Sequence, residues 1–359
     1  MPKNKKILFL VPYPLNVAPS QRFRVELFLP LLKMNGIEFD VQSFFDEKTW
    51  NVLYNSSSFI QKTMGVIKGF LRRIKMLFLL HRYEFVFIHR EASPIGPPIF
   101  EFIMAKLFRK KIIFDFDDAL WITDQSNQNP IAGWIKANWK IKYICKWSYK
   151  VIGGNEYLCN YAKQFCNDVV LIPTCVDTKG KHNRLNKEDR EKVSVGWTGS
   201  HSTMKYLDKI VPLLERLVQE FGIQVIIISN KKPSFTLSNM QFIQWNEENE
   251  VDDLLKIDIG IMPLEADPWC EGKCGFKLIQ YMSLCIPAIA SPVGVNKKII
   301  EQGINGFLCE TERDWHEALA VLINNHSLRK EMGIRGQEKI IQQYSVLAHE
   351  RFFLSLFSC

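Results

Sequence analysis

Glu271-Gly272-Lys273-Cys274-Gly275-Phe276-Lys277-Leu278-Ile279-Gln280-Tyr281-Met282-Ser283-Leu284-Cys285-Ile286-Pro287 is the stretch whose reading decides the fold. Glycines precede a helical pattern, and Pro287 stops it. At helical spacing Leu278, Met282 and Cys285 form an apolar stripe with Tyr281 at its edge. On another face Lys273, Lys277 and Gln280 fall at i, i+4 and i+7, so two cations and an amide line one side from the N-terminus. The macrodipole there favours negative charge, which makes lysines at that end unfavourable without an anion. Backbone N–H groups, the two ammonium groups and glycines that permit close approach together make a candidate phosphate site. The alternative is an amphipathic helix with solvated lysines.

The residues that follow favour the first reading. Ala288-Ile289-Ala290-Ser291 reads as a short buried strand, Pro292-Val293-Gly294 as a turn, and Asn296 as the cap of the next helix. A helix–strand–turn unit belongs to a parallel sheet, where ligands sit at the carboxyl ends of the strands.

Working outward, 359 residues suggest two domains at roughly 150 residues each. A hydrophobic content of 47% is enough for large cores and excludes a disordered chain. Nine scattered cysteines without a CxxC pair read as reduced thiols in a cytoplasmic chain, not as a disulfide framework. Cys270 and Cys274 lack the partners a zinc site needs. Ile7 to Val11 is too short for a signal sequence and reads as a first buried strand. No stretch is long and charge-free enough to span a bilayer. The net charge of +8 attracts anions without choosing among them.

In the first half, the proline-rich loop from Pro12 leads to Ser20, the expected N-cap of a helix running to Lys33. Arg22 and Arg24 at its start read either as a solvated basic turn or as the hold on an anionic substrate. Residues 59–82 carry Lys62, Lys68, Arg72, Arg73, Lys75 and Arg82 among Ile67, Phe70, Leu71, Ile74, Leu77 and Phe78, with no acid. Such a helix either lies on an anionic membrane surface or packs its apolar face on its own sheet. Phe85 to Ile88 reads as a strand ending at His89-Arg90. Strand Lys111 to Phe114 ends in Asp115-Phe116-Asp117-Asp118, whose carboxylates suggest a helix cap, a substrate hydroxyl contact or a metal. Residues 131–150 interleave Trp134, Lys136, Trp139, Lys140, Lys142, Lys146 and Trp147. Their helical spacing argues against the nucleic-acid reading that basic and aromatic residues invite. Asn155 caps a helix after a Gly turn.

Residues 179–192 form a charged linker, and the pattern then restarts. Val193 to Trp197 reads as a strand, Thr198 to Ser202 as a small-residue turn, and Thr203 to Phe221 as a helix. Further strands end at Asn230 and Leu264. Strand and helix alternate in two blocks, which predicts an α/β chain of two Rossmann-like, doubly wound parallel-sheet domains facing across a cleft. The expected division is 1–178, the linker 179–192, 193–343, and a last helix in 344–359. The polar residues collect at predicted strand ends: Arg22, Arg90, Asp117, Asp118 and Asn155 in the first block, and Gly199, Ser200, Asn230, Asp267, Lys273 and Lys277 in the second. No dinucleotide fingerprint, P-loop, nucleophile elbow or zincin motif is present.

The sequence resembles the GT-B glycosyltransferases of family 4, also called group 1. The residues that carry the resemblance are Pro19-Ser20-Gln21-Arg22-Phe23-Arg24, Phe114 to Ala119, Val195-Gly196-Trp197-Thr198-Gly199-Ser200, Asp258 to Leu264, Gly272 to Asn296, and Asn305-Gly306-Phe307. The resemblance implies a nucleotide-diphosphate-sugar donor held mainly by the C-terminal domain, and a glycan or lipid-linked acceptor on the N-terminal side. It implies transfer with retention of configuration, no required metal, and a final helix (Tyr344 to Phe357, with Leu347, Phe352, Phe353 and Leu356) crossing back to the first domain. Donor-binding candidates are Gly199, Ser200, Asn230, Lys273, Phe276, Lys277 and Gln280. Catalytic or acceptor-orienting candidates are Arg22, Asp117 and Asp118. Where the family carries two glutamates, this chain has Gly272 and Gln280. Where it carries an Arg after the first glycine of the C-terminal domain, this chain has Trp197, with Lys205 near a further expected Lys. A polysaccharide or glycolipid product at the inner membrane face is the corresponding expectation. A sugar-nucleotide epimerase and a non-catalytic nucleotide-sugar-binding partner are the competing readings.

Overall fold

The computed structural model describes residues 6–53, 59–122, 137–185 and 190–358. Two compact units are present: Met1–Thr174 together with Glu350–Cys359, and Cys175–His349. Each is built on a six-stranded parallel sheet. The doubly wound α/β class expected from the alternating pattern is the one observed.

In the first unit the strands are β1 (Lys6–Val11), β2 (Glu38–Ser43), β3 (Phe85–His89), β4 (Lys111–Phe116), β5 (Lys150–Gly153) and β6 (Val169–Leu171), in the order β2-β1-β3-β4-β5-β6. In the second they are β7 (Ser194–Gly199), β8 (Gln224–Ser229), β9 (Met240–Gln244), β10 (Ile259–Met262), β11 (Ala288–Ala290) and β12 (Gly306–Leu308), in the order β12-β11-β10-β7-β8-β9. The central strands are covered on both faces, so they read as unbroken apolar runs: β3 is buried throughout, and so is β10. In both sheets the winding direction reverses beside the first strand, between β1 and β3 and between β7 and β10. The loops leaving those strands diverge there and open a crevice at the carboxyl ends.

The final helix, Val346–Ser355, carries the chain into the first unit. Phe353 stacks on Phe28 with centroids 4.2 Å apart, and Phe357 meets Phe9 and Phe85 at 6.3 and 5.8 Å. Of the side chains expected to anchor it, Phe353 and Leu356 are buried, while Leu347 and Phe352 stay exposed.

Several local expectations are corrected. The helix expected from Ser20 to Lys33 is three short pieces, Pro19–Arg24, Glu26–Phe28 and Leu29–Met34, with the first break at Val25, which leaves the helical region, and Pro30 in the first turn of the third piece. Ser20 does not cap it. Ala18 is the N-cap with Pro19 at the first position, which leaves the Ser20 hydroxyl for His89. Asn296 does not cap its helix either; its amide donates to Ser291 O at 3.1 Å. Of the two readings open for the basic amphipathic segment, packing on its own sheet fails, because the apolar face of Phe59–Leu77 is turned outward. Gly65, Gly69, Arg73 and Met76 face inward, while Ile60, Met64, Ile67, Leu71 and Ile74 are exposed. Trp134 and Lys136 of the basic aromatic segment lie outside the described residues. Lys140 within it turns inward, to Ser93 O at 2.8 Å and Glu91 at 2.7 Å.

Candidate functional site

In the second unit the polar candidates gather where β7 and β10 end, at the reversal of the sheet. β7 finishes at Gly199, and the helix Phe276–Ser283 begins beside it with Gly275 as N-cap in the left-handed region at φ 67°. The two are tied together inside: Thr198 N donates to the Tyr281 hydroxyl at 2.9 Å, and Tyr281 is fully buried. Burial pushes the Tyr281 phenol well above its ordinary range, so it stays neutral as the acceptor.

Lys277 runs from the first turn of this helix across the strand end. Its Nζ lies 5.5 Å from the centroid of Trp197, a ring that is 1% exposed. A Cβ on Gly199 would stand 2.6 Å from Trp197 Cζ2 and 2.9 Å from Lys277 Cε. Glycine at the end of β7 is therefore what lets the lysine stem lie over the indole. The positive end of the helix dipole and the Lys277 ammonium act at one place.

Lys273 was expected on the same helical face as Lys277 and Gln280. It lies before the N-cap instead, and its Nζ sits 4.9 Å over the Trp269 ring. An extra turn of helix, Pro268–Glu271, occupies the loop, capped by Asp267, which accepts from Cys270 N at 2.7 Å. Tyr206, Cys270 and Val293 pack with Leu264 and Trp269 to hold this loop down, and Lys209 pairs with Glu265 at 2.8 Å. Gln280 is likewise not on an open face. It is 3% exposed, and its amide nitrogen has no hydrogen-bond partner among the described residues. Phe276, half-buried, opens the helix. Asn230, exposed at the end of β8, accepts from His201 N at 2.8 Å and so shapes the turn that presents Ser200. Lys205 extends over Tyr206 at 5.1 Å.

In the first unit the charged candidates collect at the ends of β1, β3 and β4. Asp115 is 1% exposed and takes both Arg24 and His89, the latter at 2.7 Å. Burial works to raise its pKa, but Arg24 first and then His89 outweigh it and hold the carboxyl below the usual range. His89 reaches Ser20 Oγ through Nε2 at 2.9 Å. That hydroxyl also hydrogen-bonds Asp117. Asp117 is held low in the same way, with burial opposed chiefly by Arg90. Arg90 reaches Asp118 at 3.1 Å and Asp117 at 3.6 Å. The expectation of a solvated basic turn fails, because Arg22 and Arg24 are 6% and 3% exposed. Asp115 and Asp117 do not act as a pair of open ligands: the first is committed to Arg24 and His89, and the second faces Arg90. Among the described residues no three His, Cys, Asp or Glu side chains converge as metal ligands.

Sequence reasoning missed Trp269, which carries Lys273, and the Ser20–His89–Asp115 array. Trp269 sits in a loop without periodicity. The array joins residues 69 and 26 positions apart, and only the parallel pairing of β1, β3 and β4 brings them together.

Residues 199–339 match the family model described as Glycosyl transferases group 1. The match starts at Gly199 and contains Lys273 and Lys277. An uncharacterized glycosyltransferase of Methanocaldococcus jannaschii is 24% identical over 218 residues, 57% of this chain and 58% of that protein's length. The fold is that of the GT-B glycosyltransferases. A Rickettsia africae glycosyltransferase superposes with a TM-score of 0.71 at 14% identity, over 99% of this chain and 98% of its own. Sucrose-phosphate synthase from Thermosynechococcus elongatus gives 0.70 at 13% identity, over 98% of each. Anabaena HepE in complex with UDP-glucose gives 0.66 at 13% identity, over 98% of this chain and 99% of its own.

Proposed function

We propose that this protein is a glycosyltransferase that moves a sugar from a nucleotide-diphosphate donor to a glycan or lipid-linked acceptor, with retention of configuration and without a metal. One observation carries the reading. Lys277 is stretched over Trp197 across Gly199, at the reversal of the second sheet and at the head of a helix, inside the region that matches the family model. Cleaving a glycosyl–phosphate bond leaves negative charge on a diphosphate. A fixed ammonium and a helix N-terminus offset that charge without reorganising at the moment of reaction. In this reading Lys277 and Lys273 hold the diphosphate. The Gly199–Ser200 turn shaped by Asn230 approaches the donor, Phe276 contacts it from the helix start, and Gln280 supports the helix from within. Arg22, Asp117 and Asp118 orient the acceptor, with Asp117 kept ionised by Arg90. The complexes of Anabaena HepE with UDP and with UDP-glucose make uridine donors the first to try.

The test is release of nucleoside diphosphate by the purified full chain from a panel of UDP-, GDP- and ADP-sugars, with and without glycan and lipid-linked acceptors. Acceptor-dependent release from one donor supports the reading. Conversion of the donor's sugar without an acceptor points to an epimerase, and donor binding without turnover points to a non-catalytic partner; either overturns it.

A further inference from the structure

The helix Phe59–Leu77 is mounted with its apolar side outward. Its inward face is made of Gly65, Gly69, Arg73 and Met76. A Cβ at Gly65 would stand 2.2 Å from Thr49 Cγ2, and one at Gly69 2.5 Å from Phe44 Cε1, so the helix backbone lies directly on its neighbours. Arg73 is wholly buried and donates to Val11 O at 2.9 Å, Gln42 O at 3.0 Å and Ala92 O at 2.7 Å. Those bonds fix the helix in rotation. The opposite face carries Ile60, Met64, Ile67, Leu71 and Ile74, with Phe78 just beyond, and each is between 45% and 78% exposed. At 100° per residue these six fall within an arc of about 80°, along a line of about 27 Å. An unpartnered apolar stripe of this length marks an interaction surface.

We propose that this face is a docking surface for an anionic lipid bilayer, with the helix lying flat in the headgroup region. The charge around the stripe selects that occupant. Residues 59–82 contain no acid, and Lys68 and Lys75 are exposed along one edge of the stripe. A second copy of the same helix would set lysine against lysine, whereas an anionic surface attracts both. Phe78 closes one end of the stripe at 78% exposure, and Phe59, 83% exposed, lies beside the other. No helix among the described residues is long and apolar enough to cross a membrane, so the contact is with the surface. The proposal rests on the exposure and charge of this helix and stands independently of the glycosyltransferase reading.

The experiment is flotation of the full chain with phosphatidylcholine vesicles, with and without phosphatidylglycerol. The chain is expected to float with the anionic vesicles and to be released by salt. Ile67→Ser with Leu71→Ser should weaken partitioning by about tenfold or more. Lys68→Gln with Lys75→Gln should remove the preference for anionic over neutral vesicles. All four positions are exposed, so unchanged thermal midpoints verify the fold. Failure of the native chain to float, or flotation unchanged in both variants, overturns the proposal. So does a dimer in sedimentation velocity that the Ile67→Ser, Leu71→Ser variant abolishes without any vesicle binding.

Discussion

Lys277→Met separates the charge of Lys277 from its packing. The methionine stem follows the same path over Trp197, and its thioether rests well on an aromatic ring. The ammonium contact with the ring, worth about 0.5–1 kcal/mol at a partly exposed site, is exchanged for a sulfur contact worth about 0.3–1.5 kcal/mol. The second unit should therefore melt within a few degrees of the native protein. Donor binding should not survive so well. A charge-assisted hydrogen bond contributes about 1.5–3 kcal/mol, and at about 1.4 kcal/mol per tenfold its loss weakens diphosphate binding by about 10- to 150-fold. The assay is titration calorimetry with UDP, GDP and ADP on both proteins, beside a thermal melt. Gly199→Ala approaches the same contact from the other side. Its new Cβ would stand 2.6 Å from a buried Trp197 carbon that cannot retreat and 2.9 Å from Lys277 Cε, which can. The lysine should be displaced with its charge intact, and nucleotide affinity should fall again. Native-like nucleotide affinity in Lys277→Met would refute the diphosphate assignment. A collapse of stability in that variant would instead show that Lys277 serves the fold.

Gly69→Ala tests the inverted helix through a conflict of signs: alanine is favoured over glycine in a helix by up to about 1 kcal/mol, yet a Cβ there would sit 2.5 Å from the buried Phe44 ring. Overpacking should win, with a net loss of about 1–3 kcal/mol in urea denaturation; a stabilised variant would mean that this face is not packed. Asp115→Ala strands Arg24 inside the first unit, and breaking a buried pair in this way costs about 3–5 kcal/mol. Because the folded Asp115 pKa lies below its ordinary 3.8, its stabilisation is present above that value and is lost as pH falls through the folded pKa. Native stability should thus drop more steeply on acidification than that of Asp115→Asn, as followed by urea midpoints against pH. Tyr281→Phe removes the acceptor of Thr198 N; a buried amide left without its partner should cost about 1–3 kcal/mol in chemical denaturation.

What was legible in the sequence was what periodicity and composition encode. Runs such as Phe85 to Ile88 and Ile257 to Leu264 read as strands buried on both faces, and their alternation with helices points to parallel sheets. The place of Lys277 in the first turn of its helix was legible too, from the glycines before it and the apolar spacing after it. The errors have physical causes. Lys273 was assigned by extending a helical wheel two residues before Gly275, whose left-handed conformation ends the wheel, while Gln280 lies within the helix on its buried side. Ser20 and Asn296 are good caps by type, but each side chain has another partner, His89 across the sheet for Ser20 and the nearby Ser291 O for Asn296. The 59–77 helix shows the limit of the hydrophobic pattern. The pattern locates an apolar stripe, and only the two buried glycines, legible in hindsight as close-approach positions, tell which side faces the protein.

Arg24 and Lys277 are held in different ways, and this bears on where a ligand acts. In the first unit Arg24, Arg73 and Lys140 are spent on carboxylates and backbone carbonyls inside the structure, and replacing one damages the fold before it touches any ligand. Arg90 belongs partly to this group, since Asp117 and Asp118 both face it. In the second unit Lys273 and Lys277 are half-buried and carried on the faces of Trp269 and Trp197. An indole face directs an ammonium group and packs its stem. Loss of Lys277 should therefore register in binding far more than in stability, and loss of Arg24 the reverse. Comparing the ratio of those two effects between the two sites separates a recognition cation from a structural one more sharply than either measurement alone.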